Sequence, residues 1–291
     1  MRIDYDYLDR VRRMAELFTK RKTSDLLEGD YSSRHHGRSM DFDDLREYRY
    51  GDDVNDIDWK SSSRTGKTLI RRYFADRKHD VIFVGDVGSK MLGDTVAGES
   101  KENLALMIYG SAAYLFGKQG INYSLMHSGP DGTRISSFMG GAAHLEETLY
   151  HYQKAIEEGE PVDSLRAVLD RMASSFERHM VMIIITDSEG IAEMDENLIR
   201  KLTFHNDVYI FNIEDAFLTT PNAFDMQKKR LEDLFLTTNK RLHKEEVHLR
   251  ETLENDAKRL FKPNQVLFRK ISREDEIVDL LVDLFRERRE L

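Results

Sequence analysis

Residues 81–86 (VIFVGD) and 180–187 (MVMIIITD) are two short apolar runs, and each of them ends in an aspartate. A third run of the same character covers residues 208–213. Strands with such unbroken hydrophobicity are covered on both faces, which is typical of a parallel sheet flanked by helices. The three runs therefore predict the centre of a parallel sheet.

The segments between these runs carry apolar residues at three- and four-residue steps, which predicts helices that cover the sheet. These helices are expected at residues 102–116, 145–156, 162–176 and 192–202. One connection differs, because a Gly-Pro-Asp-Gly turn at 129–132 separates runs at 121–126 and 134–138 and indicates an antiparallel hairpin. We expect an α/β fold, with a doubly wound and mostly parallel sheet that has one antiparallel edge strand.

The flanking segments predict an N-terminal lobe and a helical C-terminal addition. Residues 4–20 have the spacing of an amphipathic helix, whereas glycine, aspartate, serine and aromatic residues make 32–67 look irregular. Residues 224–262 predict a long charged helical stretch, broken near Thr237 and Thr238, that either covers the sheet or binds a partner helix. A strand at 266–268 and a helix at 274–290 complete the fold. The chain thus divides into an N-terminal segment, 1–79, and an α/β domain, 80–291.

Composition narrows the classes of function. The chain has 291 residues, with 53 acidic and 44 basic residues and a net charge of -9, which repels a phosphate backbone and argues against nucleic acid as a partner. It has no cysteine, which excludes disulfides, thiolate nucleophiles and cysteine-ligated metals and fits a reducing compartment. No apolar run approaches the roughly 20 residues of a membrane span. A cytoplasmic protein is expected.

The two aspartates at the strand ends are the first candidate site. Ligands bind to wound sheets beyond the carboxyl ends of the strands, where the strand order reverses. Asp86 and Asp187 should both project from that edge. The loops that follow them supply the other candidate residues, Gly88, Ser89, Lys90 and Ser188.

These two loops resemble the first and last ligand loops of a von Willebrand factor A domain. In that family an Asp-x-Ser-x-Ser loop, a threonine after a glycine pair and a further aspartate hold a divalent cation. Here Gly88 and Lys90 stand at the serine positions, and the pair Gly140-Gly141 is followed by alanines. Magnesium needs near-octahedral oxygen coordination, which these side chains do not provide. The resemblance therefore implies a degenerate adhesion site with no metal and no cofactor.

Lys90 offers a replacement for the cation. An ammonium group four residues after Asp86 is placed to sit between Asp86 and Asp187 and to fix the two loops by charge. Two alternatives stay open. Lys90 points to solvent, as most lysines do, or oxygens from Ser89 and Ser188 help Asp86 and Asp187 to hold magnesium.

A second resemblance covers the irregular segment. Residues 29–33, 41–48, 51–54, 57–60 and 63–67 form a string that resembles the signature of the bacterial domain-of-unknown-function family fifty-eight. Members carry this string immediately before a von Willebrand factor A-like domain, and the order is the same here. The signature residues taken as a candidate site are Arg46, Tyr48, Gly51, Asp52, Asp53, Asp58, Trp59 and Arg64.

The signature segment has a structural and a functional interpretation. In the structural one, which we favour, Arg46 pairs with Asp52 or Asp56 and Trp59 is buried against the sheet, which locks the N-terminal lobe in place. In the functional one, this surface binds a partner. Aromatic and arginine residues mark contact sites only when they remain exposed, which is why the structural interpretation is favoured.

The resemblance also implies a function. Relatives often act with MoxR-type ATPases of the AAA+ class in chaperone-like assembly. We therefore expect a non-enzymatic adaptor or scaffold that binds such an ATPase, or its client, through the loops at the sheet edge. The alternative is a metal-dependent phosphoester hydrolase that uses clustered acids. Those acids are Asp41, Asp43 and Asp44, or Asp52, Asp53, Asp56 and Asp58.

Overall fold

The computed structural model describes residues 9–13, 42–48, 57–73, 80–158, 161–176, 178–220, 224–225 and 230–282. The chain forms two compact units. The smaller unit is Ser24–Lys78, and the larger combines Met1–Thr23 with His79–Leu291.

The smaller unit contains regular structure where the sequence led us to expect an irregular segment. Strand β1 (Phe42–Glu47) pairs antiparallel with β2 (Leu69–Tyr73), and helix α1 (Trp59–Thr65) lies between them in sequence. The irregular prediction for 32–67 is therefore wrong over these residues. It failed because capping residues such as Asp58 resemble loop residues, although here Asp58 accepts a hydrogen bond from Ser61 N and begins a helix.

The larger unit is built on a six-stranded sheet. Its strands are β3 (Val81–Gly85), β4 (Tyr123–Gly129), β5 (Gly132–Ile135), β6 (Val181–Asp187), β7 (Asp207–Ile213) and β10 (Leu267–Ile271). The order is β10-β7-β6-β3-β4-β5, and β5 alone among these six runs antiparallel to its neighbour. The predicted wound, mostly parallel sheet with one antiparallel edge strand is confirmed.

Burial explains why the central runs form strands. Every residue of β3, β4 and β6 is buried, as is all of β7 after its first residue. Helices cover both faces of these strands, so apolar side chains are favoured at every position rather than at alternate ones. The unbroken runs that predicted the fold are thus a direct result of its two-sided core.

The predicted helices are present with small changes. They are α2 (Lys101–Lys118), α3 (Ala142–Glu157), α4 (Leu165–Ser175), α5 (Ser188–Ala192) and α6 (Glu196–Thr203). The single helix expected at 192–202 is replaced by α5 and α6. Asp195 separates them, because its carboxylate accepts from Leu198 N at 2.8 Å and starts a new helix there.

The C-terminal stretch packs against the sheet. Two-residue strands β8 (Phe224–Asp225) and β9 (Arg230–Leu231) precede helices α7 (Leu234–Thr238) and α8 (Lys240–Phe261). The predicted helix break lies at Asn239, whose side chain accepts hydrogen bonds from the first amides of α8. Ala257 and Phe261 of α8 are buried in the core, so this helix covers the sheet.

The two ends of the larger unit are also helical where they are described. Residues 9–13 form a helix, with Val11 fully buried, and the rest of the predicted helix 4–20 lies outside the described residues. Residues 277–282 are helical, whereas 283–290 of the last predicted helix lie outside them. No helix within the described ranges has both the length and the apolar character needed to cross a membrane.

Candidate functional site

Asp86 and Asp187 lie side by side at the carboxyl edge of the sheet. Asp86 directly follows β3, Asp187 ends the neighbouring strand β6, and both are almost fully buried. The Asp86 amide donates to the Ile185 carbonyl at 2.9 Å, and the Thr186 hydroxyl donates to Asp86 Oδ2 at 2.6 Å. The predicted juxtaposition of the two carboxylates is therefore present.

Lys90 lies between these two carboxylates. Gly88 has a positive φ of 93°, which begins a short 3-10 turn (Ser89–Leu92) that directs Lys90 back over the strand ends. Lys90 Nζ is 2.8 Å from Asp86 Oδ2 and 3.9 Å from Asp187 Oδ1. The hypothesis that Lys90 bridges the two loops agrees with this geometry, and the alternative that it points away into solvent does not.

A second lysine, Lys101, completes the cluster, and sequence reasoning missed it. Its side chain is buried, and Nζ lies 2.8 Å from Asp187 Oδ2 and also pairs with Asp215, which follows β7. Its position in the sequence could have revealed it, because Lys101 is the first residue of a largely apolar helix. A positive charge there opposes the helix dipole, so a carboxylate nearby is needed to stabilise it.

We call Asp86, Lys90, Lys101, Asp187 and Asp215 the lysine–carboxylate cluster. Burial by itself lowers a lysine pKa, but here the neighbouring carboxylates outweigh it, so the pKa of Lys90 and of Lys101 is raised. Both lysines therefore stay protonated at neutral pH. The cluster is a buried set of fixed charges that joins the loops after β3, β6 and β7.

Gly190 lets the chain pass close to this cluster. Its amide donates to Asp187 Oδ1 at 3.0 Å, which caps α5 and orients that carboxylate. A side chain at this position would meet the Thr186 hydroxyl and come within 2.6 Å of Asp86 Oδ2. The site therefore requires glycine here because of the space, not because of the backbone angle.

Asp86 gives the cluster a specific pH dependence. Burial raises its pKa and Lys90 lowers it, while Asp187 raises it again, and the result is a pKa of about 6 against an ordinary value of 3.8. Between these two values the folded protein holds a proton that the unfolded chain has lost. Stability due to this group therefore falls as pH rises through the window, and the penalty is complete above about pH 6.

We predict that Asp86→Asn removes this dependence. We compare the free energy of unfolding of the original protein with that of the variant. The difference, original minus variant, should fall by on the order of 3 kcal/mol as pH rises from below 3.8 to above about 6. Chemical denaturation of both proteins at a series of pH values measures this difference. A difference that stays constant across the window would show that Asp86 titrates normally.

The residues at this edge do not fit a divalent cation. The carboxylate oxygens that a metal would use already accept from Lys90, Thr186 and Lys101. A cation would also be repelled by two ammonium groups at these distances. Within the part of the chain that the structure describes, no group of three or more histidine, aspartate or glutamate side chains could hold a metal ion.

The other loop residues predicted for the site fall in two places. Ser89 and Ser188 lie next to the cluster, at the starts of the 3-10 turn and of α5. Gly140 and Gly141 do not, since Met139 pairs with Tyr123 at the beginning of β4, the opposite edge of the sheet. Placing this glycine pair at the site was therefore wrong, because the antiparallel β5 carries the chain away from the carboxyl edge before α3 begins.

The signature residues lie in the smaller unit, where they are described. Tyr48 N donates to the Thr68 carbonyl, Asp58 caps α1, and Arg64 is exposed near the end of that helix. Trp59 is 69% exposed, so the prediction that its ring is buried against the sheet is wrong. The ring is exposed, as an aromatic residue has to be if it is to contact a partner.

Several of the remaining signature and acidic residues lie outside the described part of the chain. Gly51, Asp52 and Asp53 lie outside the described residues, so the proposed pairing of Arg46 with Asp52 or Asp56 has no structural counterpart to compare. Of the acids assigned to a hydrolase, Asp41 and Asp56 also lie outside them. The backbones of Asp43 and Asp44 belong to β1.

Comparison with curated proteins finds short matches. The chain is 30% identical over 114 residues to the uncharacterized proteins Mb1516 of Mycobacterium bovis and Rv1480 of Mycobacterium tuberculosis. Each match covers 39% of this chain and 35% of the relative. The chain therefore spans about a third of the length of the curated relatives that it matches.

Solved structures with a related fold include three at low identity. An aerotolerance-related membrane protein from Bacteroides fragilis has a TM-score of 0.45 at 10% identity, covering 72% of this chain and 99% of that one. A von Willebrand factor type A protein from Catenulispora acidiphila has a TM-score of 0.38 at 9% identity, covering 75% and 43%. The SpRpn10 VWA domain has a TM-score of 0.35 at 10% identity, covering 70% and 93%.

The sequence also matches a family model. The family is described as protein of unknown function DUF58, and its model matches residues 44–258, which include α1, the lysine–carboxylate cluster and most of α8. A match over this much of the chain shows that the protein belongs to the DUF58 family.

Proposed function

We propose that this protein is a non-enzymatic adaptor that binds a partner protein through the loops at the carboxyl edge of its sheet. The observation that carries the proposal is the lysine–carboxylate cluster. It joins three loops by internal ion pairs, and a rigid edge of this kind is suited to present a fixed binding surface. It is poorly suited to catalysis.

The contacts of the two carboxylates support the non-enzymatic part. Asp86 Oδ1 accepts from Val87 N at 3.0 Å, and Oδ2 accepts from Thr186 and pairs with Lys90. Asp187 accepts from Gly190 N and pairs with Lys101. A general base or nucleophile has to reach a substrate, and these oxygens are buried and already engaged. This arrangement disfavours catalysis by Asp86 or Asp187.

Exposed aliphatic residues at the same edge support protein binding. Val96 lies beside Thr95, which bridges to Asp215, and it is 42% exposed. Val162 is 65% exposed and precedes Asp163, whose amide bonds to Ser128 near the end of β4. Leu218, 55% exposed, follows the Asp215 segment. These three side chains lie on loops near the carboxyl edge and are the contact residues that we propose.

The identity of the partner comes from the resemblance noted above, which implies an ATPase of the MoxR-type AAA+ class. In this role the adaptor would present the ATPase, or a client of the ATPase, at the sheet edge during assembly. The acidic net charge of -9 would favour a partner with a basic surface.

We predict that Val96→Glu, Val162→Glu and Leu218→Glu together weaken binding to the purified MoxR-type ATPase of the same genome by about a hundredfold or more. Calorimetric titration measures the affinity. Phe204→Glu is the matched control, because Phe204 is 77% exposed but lies between α6 and the start of β7, at the opposite edge.

Three outcomes would overturn the proposal. The first is the absence of binding between the original protein and the ATPase, and the second is an equal loss of binding in the Phe204 control. The third is metal-dependent phosphatase or nuclease turnover that disappears in the Asp86→Ala, Asp187→Ala protein, which would support the hydrolase instead.

A further inference from the structure

Trp59 in α1 is the chain's single tryptophan, and it is 69% exposed. Tryptophan is highly buried on average, because its large ring gains more than most side chains from leaving water. An indole left in water on a regular helix therefore needs an explanation. The proposed adaptor function does not supply one, since that function uses loops of the other unit.

Helix α1 holds this ring on a well-defined support. Asp58 Oδ1 accepts from Ser61 N at 3.0 Å at the start of the helix. At its end Gly66 adopts a φ of 70° and its amide donates to the Ser62 carbonyl. The Leu69 amide donates to Ser62 Oγ at 2.8 Å, which ties the helix to β2. Because the helix is already ordered, binding a partner there would cost little further conformational entropy in this unit.

The same short helix carries two cations on a face next to that of the ring. Lys60 and Arg64 are four residues apart, so they lie on one face, and both are exposed. Neither forms an ion pair with any other residue that the structure describes. Lys67 is different, because it pairs with Glu47 within the unit. As far as the described residues go, the two positive charges at 60 and 64 are left to an external partner.

We propose that Trp59, Lys60 and Arg64, here called the α1 surface, bind an acidic segment of another protein. In this complex an apolar side chain of the partner packs on the indole, and carboxylates of the same segment pair with Lys60 and Arg64. Tryptophan and arginine are the residue types most enriched among those that dominate binding energy. The charge of the partner follows from these two cations, which pair with no acid in the described part of the chain.

Single-stranded nucleic acid is the competing ligand, because bases stack on aromatic rings beside basic groups. One feature favours the acidic protein. The α1 surface has two cations among the residues that the structure describes, whereas phosphate backbones are held by many. An oligonucleotide is therefore included in the test as the alternative.

The test uses three fluorescein-labelled probes with the full chain and measures binding by fluorescence anisotropy. The probes are a peptide in which glutamate alternates with leucine and phenylalanine, the same peptide with lysine in place of glutamate, and oligothymidine. The acidic peptide should bind most tightly, and its affinity should fall with added salt. Its binding should also shift Trp59 emission to shorter wavelength and protect the ring from acrylamide quenching.

Variants assign the binding to the α1 surface. Trp59→Ala should weaken binding of the acidic peptide about thirtyfold, and Arg64→Glu about tenfold. Phe204→Ala and Arg259→Glu, which change an exposed ring and an exposed cation in the other unit, should leave the affinity unchanged. Because Trp59 and Arg64 are exposed, thermal unfolding should be the same in all of these proteins.

The proposal is overturned by any of three results. The acidic peptide fails to bind at low salt, or the basic peptide or oligothymidine binds more tightly, or the two control variants lose as much affinity as Trp59→Ala. None of these results bears on the loops at the carboxyl edge, so the adaptor proposal and this one fail independently.

Discussion

Replacing Lys101 with methionine is expected to lower the free energy of unfolding by about 3–5 kcal/mol. Methionine matches the lysine stem in length, so the packing is largely kept and the charge is lost. Asp187 is then left buried with Lys90 Nζ at 3.9 Å as its nearest cation. An uncompensated buried carboxylate is among the most costly changes that a single substitution makes.

Urea denaturation of the original protein and the variant measures this loss. Lys154→Met is the matched control, because Lys154 pairs with Glu158 on the exposed surface of α3, and it should change stability by about 0.5 kcal/mol or less. Adding Asp187→Asn to Lys101→Met should restore part of the stability, since the unpaired charge is removed. A loss under about 1 kcal/mol for Lys101→Met would mean that the ion pair is not important for the fold.

Gly190→Ala is expected to destabilise the protein by about 3 kcal/mol. The added methyl group would overlap the Thr186 hydroxyl and lie 2.6 Å from Asp86 Oδ2 and 2.8 Å from Leu165. Relief requires α5 to move away from the ends of β3 and β6, which would break the hydrogen bond between Gly190 N and Asp187. The variant should therefore lose packing and part of the lysine–carboxylate cluster together.

Gly93→Ala provides the comparison for this substitution. Its nearest neighbours lie 3.9 Å from the position of a methyl group, and its φ of -72° suits any residue. We expect its stability to stay within about 0.5 kcal/mol of the original protein. Thermal and urea unfolding of the two alanine variants measure the contrast, and equal stabilities would rule out the steric explanation.

The sheet and half of the site could be predicted because their signals are local. Buried parallel strands give unbroken apolar runs, and an aspartate directly after such a run has to lie at the carboxyl edge. Lys90 follows Asp86 by only four residues, so its reach to the same carboxylate could also be judged from sequence. These inferences needed no knowledge of which strands are neighbours.

The errors concern features that are set by tertiary contacts, such as which side chains are neighbours and which are buried. Lys101 and Asp215 are 114 residues apart, and only the order of the strands brings them together. Gly140 was assigned to the wrong edge because the family resemblance was followed there, although the predicted antiparallel hairpin already returns the chain to the amino edge of the sheet. The burial of Trp59 was inferred from the size of its ring, but burial depends on whether another surface covers it.

The cations of the lysine–carboxylate cluster are part of the polypeptide, and this has a consequence for control. Chelators, dilution or metal starvation cannot remove them, so the edge of the sheet keeps the same charge whatever the supply of ions in the cell. Related sites that depend on a bound ion can be switched by its loss. The cations of this cluster cannot be lost in that way, and we expect the proposed binding at this edge to be unchanged after dialysis against a strong chelator.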